Sequence, residues 1–160
     1  MNNVNKWYYR NKDRTIKYLL DINDFPKGCV GFVYIIKNTT NNKSYIGRKI
    51  LKNTNSVKIS KRALKEITGS GRKPLKKTII SESNWKDYYG SCKPLQDDVK
   101  KQGSDTFLRE ILKFCYNKKE MGYYEVYYQM MYKVLEHPND YYNENILGRY
   151  FIKDLSGKDD

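Results

Sequence analysis

The sequence predicts an α/β domain: a small, three-stranded, mostly antiparallel sheet flanked by helices. Three observations predict it. First, Val33-Tyr34-Ile35-Ile36 and Tyr45-Ile46-Gly47-Arg48 are short runs rich in β-branched and aromatic residues. Second, Phe107-Leu108-Arg109-Glu110-Ile111-Leu112-Lys113-Phe114 reads as a third strand. Third, two helical stretches flank that strand. One runs through Leu95 and Val99 and ends at Gly103; the other runs from about Lys118 to Leu135, with Pro138 as its stop.

Taken in order, residues 1–29 read as a helical arm. Trp7, Tyr8, Ile16, Tyr18, Leu19 and Leu20 are available to dock on the body, and Pro26-Lys27-Gly28 breaks the segment. A hairpin follows at about 31–49. Its turn is Lys37-Asn38-Thr39-Thr40-Asn41-Asn42-Lys43, dense in turn-forming residues. Side chains alternate faces along a strand. A register that pairs Tyr34 with an odd-numbered residue pairs Tyr45 with an even-numbered one, and both phenols then share a face. Residues 52–83 form a polar connection with a short helix near Val57–Ile67 and a flexible Gly69-Ser70-Gly71 loop. No Gly-Lys-Ser/Thr follows, so a phosphate-binding P-loop is excluded. The main domain spans 30–150 with a basic insertion at about 50–83. Residues 151–160 read as a flexible tail, frayed from Ser156 onward.

The 160 residues suit one domain with one core. No apolar run approaches the roughly 18 residues of a membrane helix, and the N-terminus has no signal-peptide core. Cys29, Cys92 and Cys115 form no C-x-x-C pair, which fits a reducing, cytoplasmic setting. The net charge is +13. Residues 48–77 hold Arg48, Lys49, Lys52, Lys58, Lys61, Arg62, Lys65, Arg72, Lys73, Lys76 and Lys77 against Glu66, which is +10 of that total. A polyanion is the natural partner of such a segment, and nucleic acid is the commonest one. A solvated loop is the bland alternative.

Tyr45-Ile46-Gly47 is a YIG element as written. Tyr34 falls at the tyrosine of a GIY element, with Val33 for the isoleucine and Phe32 where glycine usually stands; Gly31 is one place early. Trp85, Tyr88-Tyr89-Gly90-Ser91-Cys92-Lys93, Lys101-Gln102-Gly103, Phe107–Leu112, Glu125 and Tyr142-Asn143 follow in order. This set resembles the GIY-YIG nuclease superfamily, and most of all the Seg-type endonucleases of large bacteriophages, over residues 30–147. The resemblance implies cleavage of double-stranded DNA with one divalent cation, Mg²⁺ or Mn²⁺. A double-strand break would need a homodimer or two sequential nicks.

The resemblance also implies roles. Tyr34 is the candidate general base, or the group that positions the water, and Tyr45 contacts the phosphate or the water. Free tyrosine titrates near ~10, so a base role needs a cation to lower its pKa. Arg48 and Arg62 are the alternatives for the phosphate-binding arginine. Glu125 is the metal ligand, with Glu120 as its substitute; a single carboxylate plus waters suits Mg²⁺ or Mn²⁺. The bland reading of Glu125 is a surface pair with Lys118 or Lys133. Asn143 is expected to position the edge of the active site, or to be a plain turn residue. Expected DNA contacts are Lys49, Lys58, Lys61, Lys65, Arg72, Lys73, Lys76, Lys77, Tyr89, Ser91 and Lys93, with Tyr88 beside them and Trp85 as core or stacking platform. His137 is the single histidine, which leaves no H-E-x-x-H zinc pattern, and no G-x-S-x-G elbow exists. The rival readings are a catalytically inactive nucleic-acid-binding module of the same fold and, more distantly, a basic scaffold protein.

Overall fold

The computed structural model describes residues 5–155. In chain order it runs β1 (Trp7–Arg10), β2 (Ile16–Leu19), β3 (Gly31–Asn38), β4 (Ser44–Ile50), β5 (Lys52–Lys58), helix α1 (Lys61–Glu66), β6 (Lys76–Glu82), helix α2 (Lys93–Gln102), β7 (Phe107–Cys115), helix α3 (Lys118–Met131), β8 (Asn145–Ile146) and β9 (Tyr150–Phe151). Two compact units result: Met1–Leu51 with Asn84–Asp160, and Lys52–Ser83. The expected frayed end from Ser156 lies outside the described residues. Among the described residues, no helix is long and apolar enough to cross a membrane.

The first unit is α/β as expected, but its sheet is larger and mixed. Five strands stand in the order β2-β1-β7-β3-β4. The three expected strands are β3, β4 and β7, and β3 pairs antiparallel with both others. The two extra strands come from the N-terminal segment, which is a β-hairpin and not a helical arm. β1 runs antiparallel to β2 and parallel to β7. Its turn uses short polar side chains: Asp13 Oδ1 accepts from the Thr15 N–H at 3.0 Å, and Arg14 sits at φ 69°. Four-residue strands are too short to display a two-residue period, so the apolar spacing at 16, 18, 19 and 20 mimicked a helix face.

Polar turn chemistry fixes the central hairpin. The Asn38 side chain accepts from the Thr40 N–H (3.0 Å), that of Asn41 accepts from the Lys43 N–H (2.9 Å), and Asn42 takes φ 60°. The register pairs Tyr34 with Gly47 and Ile36 with Tyr45, so both phenols do share one face. A bulge between Val33 and Tyr34 shifts the pairing to β7 immediately before the first tyrosine.

Both faces of the sheet are covered. On one, Trp7, Phe32, Tyr34, Ile36 and Ile111 pack with Phe25, Trp85 and Leu95 of α2. On the other, Val33, Ile46 and Cys115 pack with Met121 of α3 and with Val134 and Leu135. Helix α2 stops at Gly103, as expected. Helix α3 begins on schedule, capped by Asn117, but ends at Met131; Lys133 at φ 53° turns the chain before Leu135. Within the expected tail, residues 151–155 hold the end of β9 and a 3-10 turn, all of them exposed.

Trp7 joins the N-terminal hairpin to the site-bearing layer. Its ring meets Phe32 and Tyr34 edge-on at 5.0 and 5.1 Å, and its indole N–H donates to the Trp85 carbonyl at 2.7 Å. Arg109 of β7 stacks between Trp7 (4.8 Å) and Tyr89 (4.2 Å) and donates to the carbonyls of Lys86 (2.8 Å) and Tyr88 (3.0 Å), which holds the 86–91 loop against the sheet.

In the second unit, β5 and β6 pair antiparallel over seven residue pairs. The helix expected at Val57–Ile67 shrinks to α1, with Ser60 accepting from the Ala63 N–H at 3.2 Å. Val57 and Lys58 belong to the ribbon instead.

Trp7 is 1% exposed, so Trp7→Ala is expected to destabilise the first unit by about 3–5 kcal/mol. Urea unfolding checks this; a loss below about 1 kcal/mol would show that the N-terminal hairpin is an appendage.

Candidate active site

Strand β4 is an edge strand, and an unpaired edge leaves backbone donors and acceptors to be satisfied. Residues 140–143 do this. The Ser44 N–H donates to the Asp140 carbonyl, and the Tyr142 N–H donates to the Ser44 carbonyl, both at 2.8 Å. Further along the edge, the Asn143 carboxamide acts as a one-residue strand. Its Oδ1 accepts from the Ile46 N–H at 3.0 Å and its Nδ2 donates to the Ile46 carbonyl at 2.9 Å. Gln129 of α3 donates to the same carbonyl at 3.2 Å. The Tyr142 hydroxyl anchors the segment by donating to Asp98 (2.6 Å) and accepting from Asn38 (2.9 Å) and Asn41 (3.0 Å). Asn143 is therefore buried and bonded to the β4 edge through its side chain.

A cleft of about 470 Å³ opens along this edge. Tyr45 and Ser91 line it, sharing a hydrogen bond at 3.3 Å. Arg48, Glu125, Lys93 and Asn143 line it as well. Tyr45 and Arg48 leave opposite faces of β4 and meet at the cleft because an edge strand is reached from both sides. Arg48 Nε lies 3.1 Å from the Glu125 carboxylate. That pair replaces the surface pairing of Glu125 with Lys118 or Lys133. Gly122 leaves room for it: a Cβ there would stand 2.9 Å from a terminal nitrogen of Arg48. Burial raises the Glu125 pKa above its usual 4.5, and the Arg48 charge pulls it back.

The YIG glycine has a steric reason. A Cβ on Gly47 would lie 2.6 Å from the Tyr34 hydroxyl and 2.9 Å from the Tyr45 ring. Tyr34 lies across that gap, 6.2 Å between ring centroids from Tyr45 and 1% exposed. It is beneath the cleft wall and does not line the cleft. Burial, then the neighbouring Tyr45 and Tyr88, pushes its pKa well above 10.0. Burial also pushes Tyr45 up to about 12. Burial thus favours the neutral, protonated form of both phenols. Lys49, the cation next along the strand, is spent elsewhere: its ammonium sits 4.0 Å over the Tyr88 ring and donates to Asn84 at 2.6 Å. Phe32, at the usual glycine position of the GIY element, is a core residue, whereas Gly31 makes the close approach. A Cβ on Gly31 would meet the Lys49 carbonyl at 2.5 Å and Met121 at 2.6 Å.

The sheet edge thus gathers Tyr45, Arg48, Glu125, Asn143, Ser91 and Lys93, and Lys93 also pairs with Asp97. Tyr89 is taken up by Phe107 and Arg109, and Trp85 is core. Glu120 accepts from the Tyr116 N–H at 2.7 Å at the start of α3 and does not line the cleft. Arg62, Lys58, Lys61, Lys65, Arg72, Lys73, Lys76 and Lys77 all lie in the second unit. Of the two candidate arginines, Arg48 lines the cleft. The sequence reading missed Gln129 and Glu144, both cleft-lining. Gln129 stands one helical turn after Glu125, a spacing that puts both on one face of α3.

A family model described as "Putative endonuclease segE, GIY-YIG domain" matches residues 7–146. The chain belongs to the SegE GIY-YIG domain family. No curated protein and no solved structure matches it. The match includes β1 and β2, in keeping with their place in the sheet. Membership makes the chain a member of a nuclease family that acts on DNA and generally depends on a divalent metal.

The donor set fits such a metal in one respect. Glu125 is a partly buried carboxylate in a polar cleft whose charge is offset by a single guanidinium. Among the described residues, no group of three or more His, Cys, Asp or Glu gathers around it. One carboxylate with water and substrate oxygens matches a hydrated hard cation.

Asn143→Ala strips Ile46 of its edge partner and is expected to destabilise the protein by about 1–3 kcal/mol. Asn143→Asp keeps the acceptor for the Ile46 N–H but turns a carboxylate toward the Ile46 carbonyl, so it is expected to rescue little. Thermal unfolding of both variants checks this; full stability in Asn143→Ala would remove the positioning role.

Proposed function

We propose that this chain is a metal-dependent endonuclease that hydrolyses phosphodiester bonds in double-stranded DNA, one strand per active site, in a phage or mobile-element setting. The observation that carries this reading is the cleft at the β4 edge, where a neutral phenol, a guanidinium and a carboxylate face one another. Phosphodiester hydrolysis gathers negative charge on the phosphoryl oxygens in its transition state, so positioned donors and cations are the main requirement. Arg48 supplies a fixed positive fork for those oxygens. Tyr45 donates its phenolic proton as a hydrogen bond to phosphate or water. Tyr34 acts as a neutral hydroxyl that supports Tyr45 and the water position across Gly47. Glu125 would hold the divalent ion, Mg²⁺ or Mn²⁺, which when bound supplies Lewis-acid charge at the phosphate. Ser91 and Lys93 contact the DNA backbone at the rim. The lysines and arginines of residues 52–83 contribute the sequence-independent attraction to phosphates.

Plasmid nicking in Mg²⁺ or Mn²⁺ tests the proposal. Glu125→Ala is expected to lose about 100-fold or more in rate, and Tyr34→Phe about tenfold, since only a hydroxyl is removed. Nicking that both substitutions leave unchanged would defeat the assignment. A wild-type protein that binds duplex DNA but nicks in neither metal would be a binding module on the same fold.

The pH profile gives an independent check. Glu125 must be ionised to hold a cation, and Arg48 lowers its pKa. Arg48→Met is therefore expected to move the acid limb of the nicking profile to higher pH, beyond any fall in its plateau. A limb that stays in place would separate Glu125 from the rate.

A further inference from the structure

The insertion has a form that phosphate attraction alone does not require. Every residue of β5 and β6 is exposed, on both faces of the ribbon. Isolated two-stranded ribbons are marginal in water. This one carries nine Lys and Arg within residues 52–83 against Glu66 and Glu82, a net +7, so its charge is complementary to a polyanion. Its register sorts the side chains into two faces. Lys52, Lys58 and Lys76 share one face with Ile80 and Glu82. Asn53, Asn55, Val57, Lys77, Ile79 and Ser81 make up the other. Asn53 and Asn55 have no side-chain hydrogen-bond partner among the described residues. Val57 and Ile79 on the same face are each 41% exposed.

We propose that this ribbon enters the major groove of B-form DNA and reads base pairs with its Asn53/Asn55 face. The proposal rests on the reading of the chain as a DNA endonuclease and supplies its specificity element. A major groove about 12 Å wide admits a two-stranded ribbon. Strand rise is about 3.4 Å per residue, so Asn53 and Asn55 stand about 7 Å apart, close to two base-pair steps. A carboxamide both donates and accepts, which matches the N6 and N7 edge of adenine. Val57 and Ile79 offer apolar contact to thymine methyl groups, and Lys77 can donate to guanine. Duplex RNA is excluded as the target because the A-form major groove is too deep and narrow for side chains to read.

The test is selection of the full-length protein on random-sequence DNA duplexes with EDTA present, so that binding is read without cleavage. The expected result is an enriched short site in which Asn53→Ala and Asn55→Ala each flatten one position. The two flattened positions should lie about two base pairs apart. Each variant should bind the wild-type site on the order of tenfold more weakly while the salt dependence of binding stays unchanged. Arg72→Ala with Lys73→Ala should instead weaken all sequences alike and reduce the salt slope. No enrichment by the wild type, an enrichment that both asparagine variants retain, or equal binding of duplex RNA would overturn the proposal. Because metal and cleavage take no part, ribbon-dependent selection without any nicking would sink the nuclease reading and leave this one standing.

Discussion

The backbone of Ile46 is the point on which the site turns. It lies at the middle of the buried outer edge of β4, between Tyr45 and Gly47, where an unpaired amide and carbonyl would cost free energy. Asn143 closes both groups with one carboxamide, and Gln129 adds a second donor to the carbonyl. Three distant segments meet there: the hairpin, helix α3 and the chain after it. Helix α3 is thereby tied to the strand one turn away from Glu125. The separation between Glu125 and Arg48 follows from that tie together with the space that Gly122 leaves.

Burial sets the chemistry of the phenols. With Tyr34 sealed under aromatic neighbours and Tyr45 lifted to about 12, burial holds both phenols toward the protonated form. The site accordingly offers neutral hydroxyl donors beside a cation and a carboxylate. Such an arrangement suits the stabilisation of an oxyanion better than the removal of a proton. The glycine of the YIG element allows it, since any Cβ at 47 would collide with the Tyr34 hydroxyl.

Each unit has its own internal physics. The first has an aromatic core built around Trp7, Phe32, Tyr34 and Trp85, and its charged Arg109 is stacked between rings and bonded to loop carbonyls. The second is built on a ladder whose strands β5 and β6 are exposed throughout, so the identities of those strand residues are set by solvent and by whatever they bind.

Short strings with strong local chemistry were legible in the sequence. The Asn-Thr turn, the tyrosine parity across the hairpin, the Gly103 stop, the start of α3 and the concentration of charge after Gly47 are all encoded in neighbouring residues. The assignment of Glu125 and Asn143 to the site came from the ordered resemblance and not from periodicity. The N-terminal strands, the ribbon and the partner of Glu125 were not legible. Four-residue strands and a ribbon exposed on both faces carry no hydrophobic period to read. Whether a phenol is buried, and which cation faces a carboxylate, depends on contacts between residues tens of positions apart. Tertiary packing alone decided that Tyr34 lies beneath the cleft, that Lys49 turns to Tyr88, and that Arg48 turns to Glu125, because desolvation and ion pairing are properties of the assembled edge and not of any one segment.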